Sequence, residues 1–135
     1  MSEKAKISWT LNVQVVEGPR MSVSKTVAVQ AYDRIEVVIL DEASGQEVQV
    51  QPGGEGQVKF LLVGSDRYGA DLSYSVNEAE ANPANRIKLD ALQLFVGDGA
   101  VGLLDTSPET LYFYNDLGQA ATITVLVGRK ATPDT

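Results

Sequence analysis

Leu111-Tyr112-Phe113-Tyr114-Asn115-Asp116-Leu117-Gly118-Gln119-Ala120-Ala121-Thr122-Ile123-Thr124-Val125-Leu126-Val127 is the stretch on which the fold turns. Two strand-like runs, the second alternating between polar and apolar side chains, flank Asn115-Asp116-Leu117-Gly118, a cluster of turn-forming residues. Successive residues of a strand point to opposite faces, so Leu111 and Phe113 fall in phase with Ile123, Val125 and Val127. The pattern predicts a hairpin with those residues facing inward. Tyr112, Tyr114, Thr122 and Thr124 then share its outer face. Two rings among hydroxyls make a flat, amphipathic surface suited to a protein interface or to stacking on sugar. The plainer alternative is that another sheet or a loop covers them.

The same period of two extends outward from this unit. Ile7, Trp9, Leu11, Val13 and Val15 alternate with Ser8, Thr10, Asn12 and Gln14 until Glu17-Gly18-Pro19-Arg20 breaks the run. Trp9 is in register with Ile7 and Leu11 and is expected in the core. A second strand is predicted over 21–32, with Val23, Val27, Val29 and Ala31 on one face. Val37-Val38-Ile39-Leu40 is apolar on both faces, which predicts a central strand. Ala43-Ser44-Gly45-Gln46 reads as a hairpin loop, and Pro52-Gly53-Gly54-Glu55-Gly56 as a flexible one. Phe60-Leu61-Leu62-Val63 reads as a buried strand, and Leu72–Val76 alternates again. Between Asn77 and Leu94 helix is weakly favoured at best, because Pro83 allows no more than about a turn. Strand fits 87–96 better, with a bulge to explain the shift in phase at Leu92.

Nine or ten short strands with regular turn signals, and no full helix between them, predict an all-β fold. Its expected form is an antiparallel two-sheet sandwich or jelly roll with at most one short helix. The 135 residues suit a single β-sandwich domain spanning 1–135, with flexible ends at 1–6 and 129–135.

Composition limits the chemistry. The chain contains neither histidine nor cysteine, so Ser-His-Asp and Cys-His arrangements, zinc sites with those ligands and disulfides are all excluded. A formal charge of −7 disfavours nucleic acid, whose phosphates require Lys and Arg. Asp90, Asp98, Asp105, Glu109 and Asp116 fall in a stretch with no basic residue between Lys88 and Arg129. Ordinary solubility explains that run, and a basic partner or a cation is the alternative. The polar start, Met1 to Lys6, lacks the apolar core of a signal peptide, and no run is long enough to span a bilayer. The location expected is cytoplasmic, or a particle assembled inside a cell.

Three motifs resemble catalytic or binding signatures and are read otherwise. Gly97-Asp98-Gly99-Ala100-Val101-Gly102 matches a dinucleotide-binding glycine pattern, but Pro108 leaves no room for the helix that must follow. Ser22 and Lys25 have acyl-transfer spacing only on a helix, and on a strand they face opposite ways. Asp66 and Asp71 supply too few oxygens for calcium. No catalytic residue, metal or cofactor is expected. The function predicted is a non-enzymatic structural or interaction module whose partner is the chain itself, as a homo-oligomer, with particle assembly a suitable setting. Tyr112, Tyr114, Thr122 and Thr124 are the candidate binding residues. A carbohydrate-binding sandwich using the two tyrosines is the alternative. A carboxylate hydrolase using Asp98 and Asp105 stands behind both.

Overall fold

Period-two patterning becomes strand throughout the computed structural model, which describes residues 5–51, 57–105 and 108–130. The strands are β1 (Ala5–Gln14), β2 (Arg20–Val29), β3 (Ala31–Ile39), β4 (Ser44–Gln49), β5 (Gln57–Ser65), β6 (Leu72–Val76), β7 (Ile87–Lys88), β8 (Gln93–Val96), β9 (Thr110–Asn115) and β10 (Ala121–Lys130). Among the described residues, helix is confined to a 3-10 turn at Pro83–Asn85 and one α-helical turn at Asp98–Val101. No helix among the described residues is long and apolar enough to cross a membrane.

Eight strands form two antiparallel sheets ordered β3-β10-β5-β8 and β4-β9-β6-β7. From β3 to β6 the chain changes sheet at every step, and its first sandwich strand, β3, pairs with its last, β10. That order is a jelly roll. The inner faces pack Ile39, Leu61, Val63, Ile123, Val125 and Val127 against Leu72, Tyr74, Leu111 and Phe113, all fully buried. Tyr74 and Phe113 are register partners whose ring centroids lie 5.4 Å apart. The Tyr74 hydroxyl donates to Gln93 Oε1 at 2.6 Å, tying β6 to β8 across the two layers. Burial pushes the Tyr74 phenol well above its usual titration range, so it remains a donor.

Several expectations need correction. Residues 111–127 are not a hairpin, because β9 and β10 belong to different sheets. Asn115 makes the difference. It is fully buried, donates through Nδ2 to the carbonyls of Ile39 (3.1 Å) and Gln119 (2.9 Å), and accepts from the Leu117 amide (2.9 Å). These bonds anchor the turn to the end of β3 and carry the chain across the roughly 10 Å gap between layers. The segment at Ala43–Gln46 likewise changes sheet, from β3 to β4. β3 is an edge strand rather than a central one, and the apolar side chains on its second face, Val38 and Leu40, are 49% and 64% exposed.

Part of the two ends expected to be flexible is strand. Ala5 and Lys6 begin β1, and Arg129 and Lys130 end β10, with Arg129 buried. The remaining terminal residues, 1–4 and 131–135, lie outside the described residues, as does the glycine-rich loop 52–56.

The strands β1 and β2 join neither sheet. They pair with each other as a two-stranded ribbon, from Ala5↔Val29 to Gln14↔Arg20. At about 3.3 Å per residue this arm is roughly 33 Å long. Its base rests on the β3-β10-β5-β8 sheet at Gly128, where a Cβ would come within 2.6 Å of Ile7 Cδ1 and 2.9 Å of Val29 Cγ1. From Thr10 to Thr26 every residue except half-buried Val23 is exposed. Trp9 therefore sits half-buried on the arm rather than in the sandwich core.

Candidate interaction site

Of the four residues expected to form one surface, the structure keeps two pairs on opposite sides of the molecule. Tyr112 and Tyr114 lie on the outer face of β4-β9-β6-β7, and Thr122 and Thr124 on the outer face of β3-β10-β5-β8. The two tyrosines also differ. Tyr112 is half-buried, whereas Tyr114 is buried beneath the segment from Glu78 to Arg86. The Tyr114 hydroxyl donates to the Ala79 carbonyl at 3.1 Å, and the Arg86 guanidinium lies 3.6 Å above its ring. Asn77 starts that segment in a left-handed conformation, and its Oδ1 accepts from the Glu109 and Thr110 amides. Tyr114 is thus part of the packing that fixes the loop. Tyr114→Ser is expected to lower unfolding free energy by about 3 kcal/mol or more, and Tyr112→Ser by about 1 kcal/mol or less. Urea titration of the two variants checks this, and equal losses would contradict it.

The motifs set aside in the sequence occupy places that fit their plain readings. Gly97 has φ 91° and leads into the single turn Asp98–Val101, and Asp98 pairs with Lys59 at 2.8 Å. Ser22 and Lys25 stand on opposite faces of β2: Ser22 Oγ donates to Asn12 Oδ1 at 2.6 Å, while Lys25 is registered with Trp9. Asp66 Oδ1 accepts from the Thr122 amide at 2.8 Å, and Asp71 lines a separate polar cleft of about 200 Å³ with Arg86, Lys88 and Asp116. Two basic and two acidic side chains around that cleft balance each other and give it no preference for either sign of ligand.

The more informative surface is the arm. Register places Ile7, Trp9, Leu11 and Val13 beside Val27, Lys25, Val23 and Met21 on one face. On the other face are Ser8 with Thr26, Thr10 with Ser24, and Asn12 with Ser22, joined in pairs by side-chain hydrogen bonds of 3.4, 3.1 and 2.6 Å. This polar ladder satisfies itself and faces water without cost. The apolar face is the one that meets Gly128 at the base of the arm. Beyond the base it is largely open among the described residues: Leu11, Val13 and Met21 are 43%, 42% and 57% exposed, and Val23 is half-buried. At the tip, Val15 and Val16 are 54% and 86% exposed.

A second, partly exposed apolar surface lies on the body. The outer face of β3-β10-β5-β8 carries Leu62, Leu94 and Leu126 in one register row, with Leu92 and Val38 nearby. A groove of about 400 Å³ on this face is lined by Leu62, Gly64, Leu92 and Thr124, together with the carboxylates of Glu36 and Asp66. Thr122 and Thr124 line this groove, away from the two tyrosines expected beside them. The arm was missed because an apolar alternation looks the same whether it is covered by its own chain or left open. No protein-family model, curated protein or solved structure matches this chain.

Proposed function

We propose that this protein is a non-enzymatic assembly module: a jelly roll that works as a homo-oligomer, within a larger particle. The observation that carries this reading is the β1–β2 arm, whose apolar face beyond the base is largely exposed among the described residues. An isolated two-stranded hairpin is marginal in water, and a contiguous wet apolar face adds to the cost. Both costs fall if the arm is received by another surface. The absence of histidine and cysteine from the whole chain supports a structural role over catalysis. Jelly rolls serve in viral capsids as well as in lectins, so the architecture admits the assembly role without selecting it.

The carbohydrate alternative loses its main support. A sugar platform needs accessible ring faces, and Arg86 already occupies that of Tyr114. Light scattering tests the assembly reading directly. A discrete oligomer is expected at micromolar concentration, and a monomer throughout that range would overturn it.

A further inference from the structure

We infer that the free half of the arm of one copy docks, apolar face down, on the outer face of the β3-β10-β5-β8 sheet of a neighbouring copy. This rests on the self-association proposed above and names its two surfaces. Leu11, Val13, Met21 and Val23 seat on the groove lined by Leu62, Gly64, Leu92 and Thr124, with Lys25 directed at the carboxylates of Glu36 and Asp66.

Three observations select a second copy as the occupant. The first is continuity: this sheet face already receives this face of the arm within one chain. Ile7 and Val29 sit on it at Gly128, where the missing side chain makes room. Gly64, on the adjacent strand β5, lines the groove on the same face, and there Leu92 and Tyr68 of the same chain close over the glycine, 3.1 and 3.5 Å from where a Cβ would stand. The arm's own base fills only the Gly128 end, leaving the groove end to another arm.

The second observation is charge. Residues 1–29 carry four basic and two acidic side chains, and residues 30–135 carry seven basic and sixteen acidic, giving formal charges of +2 and −9. The two parts of one chain attract when they come from different copies, and two bodies repel without an arm between them. Locally, Lys25 is the one cation on the arm's apolar face among the described residues. The groove presents two carboxylates: Glu36, which is exposed and 3.7 Å from Arg34, and Asp66, one oxygen of which holds the Thr122 amide.

The third is geometry. From Thr10 to Thr26 every residue of the arm but Val23 is exposed, so this part has left its own sheet and can reach another. Arm and groove are different patches, so the contact is head-to-tail, and it closes into a ring or continues as a filament according to the rotation between copies.

The test uses two full-length variants altered only at exposed positions. Leu11→Ser/Met21→Ser weakens the arm and leaves the groove whole. Leu92→Ser/Glu36→Lys weakens the groove and leaves the arm whole. Each alone is expected to associate on the order of 100-fold more weakly than the parent, and to be monomeric by light scattering at concentrations where the parent is assembled. Circular dichroism should match the parent, and so should melting temperature at dilutions where the parent is monomeric too, since neither pair of changes enters the core. Mixed in equal amounts, the two variants are expected to form a dimer and nothing larger, because only one intact arm–groove contact can form. A second pair, Lys25→Glu and Glu36→Lys, should each weaken assembly alone and restore part of it when combined in one chain. A monomeric parent would overturn the assembly reading itself. An assembled parent whose size neither variant changes would leave that reading standing and overturn this interface. Failure of the mixed variants to dimerise would overturn it as well.

Discussion

Phe113→Ala is expected to lower the unfolding free energy by about 3–5 kcal/mol, a large share of the ~5–15 kcal/mol typical of a domain. Phe113 is fully buried near the middle of β9, an internal strand of its sheet, and its ring leans on Tyr74 with an interplanar angle of 34°. Its removal takes apolar surface from both layers and leaves a void between strands that register holds apart. The neighbouring sheet cannot collapse into that void without disturbing the bond from Tyr74 to Gln93. Phe113→Leu retains most of the volume and should cost about 1.5 kcal/mol or less. Urea titration with a common slope measures both. A loss under about 1 kcal/mol for Phe113→Ala would mean that β9 presents its other face to the core.

Phe113 also shows why the face assignments were legible in the sequence when the pairings were not. Alternation is a property of each strand by itself, so Leu111, Phe113, Ile123, Val125 and Val127 could be placed inward one strand at a time, and all five are fully buried. Which strand lies beside which depends on the connections. Asn115-Asp116-Leu117-Gly118 has the residues of a tight turn, with Gly118 at φ 87°, yet the buried amide of Asn115 ties it to β3 and turns it into a crossing between layers. A residue seventy-six positions away decides that, and local pattern cannot report it. The apolar run at Val37–Leu40 misled for a related reason. Continuous apolarity implied a strand covered on both sides, whereas this edge strand leaves Val38 and Leu40 open.

The candidate site was legible only in part. Thr122 and Thr124 reach a groove because outward positions on β10 were correctly read as outward. Tyr114 was read as outward too, and it is, but the segment Glu78–Arg86 folds over it, an outcome that depends on Arg86 finding the ring. The arm left a signal that could have been used: Ile7 to Val15 and Met21 to Val29 match in length across a short turn, and one face of the pair is entirely Ser, Thr, Asn and Gln apart from its ends. Equal, long, adjacent strands are the mark of a ribbon that pairs with itself.

Asp33→Ala is expected to lower the unfolding free energy by about 3 kcal/mol. The carboxylate of Asp33 pairs with the Arg129 guanidinium where β3 and β10 begin and end their register. The Arg129 side chain is only 5% exposed and that of Asp33 is 27% exposed, so the two partners are not equivalent. Without Asp33, a cation is left nearly dry with no counter-charge. Arg129→Met instead leaves a carboxylate that water can still reach, and should cost about 1–2 kcal/mol, toward the lower end because the methionine stem refills the space. The Arg129 Nε has no hydrogen-bond partner even in the intact protein, so the pair repays its own desolvation poorly. Asp33→Leu/Arg129→Met should therefore be close to neutral, well below the sum of the single losses. Urea titration of these variants gives the coupling between the two sites. The position links this pair to the arm: the Gln30 amide, at the joint between β2 and β3, donates to the Arg129 carbonyl at 2.9 Å. That bond uses backbone atoms only, so the double variant should hold the arm in place and assemble like the parent. A double variant that is stable yet no longer assembles would show that the charge pair, and not the backbone joint, sets the direction in which the arm leaves the body.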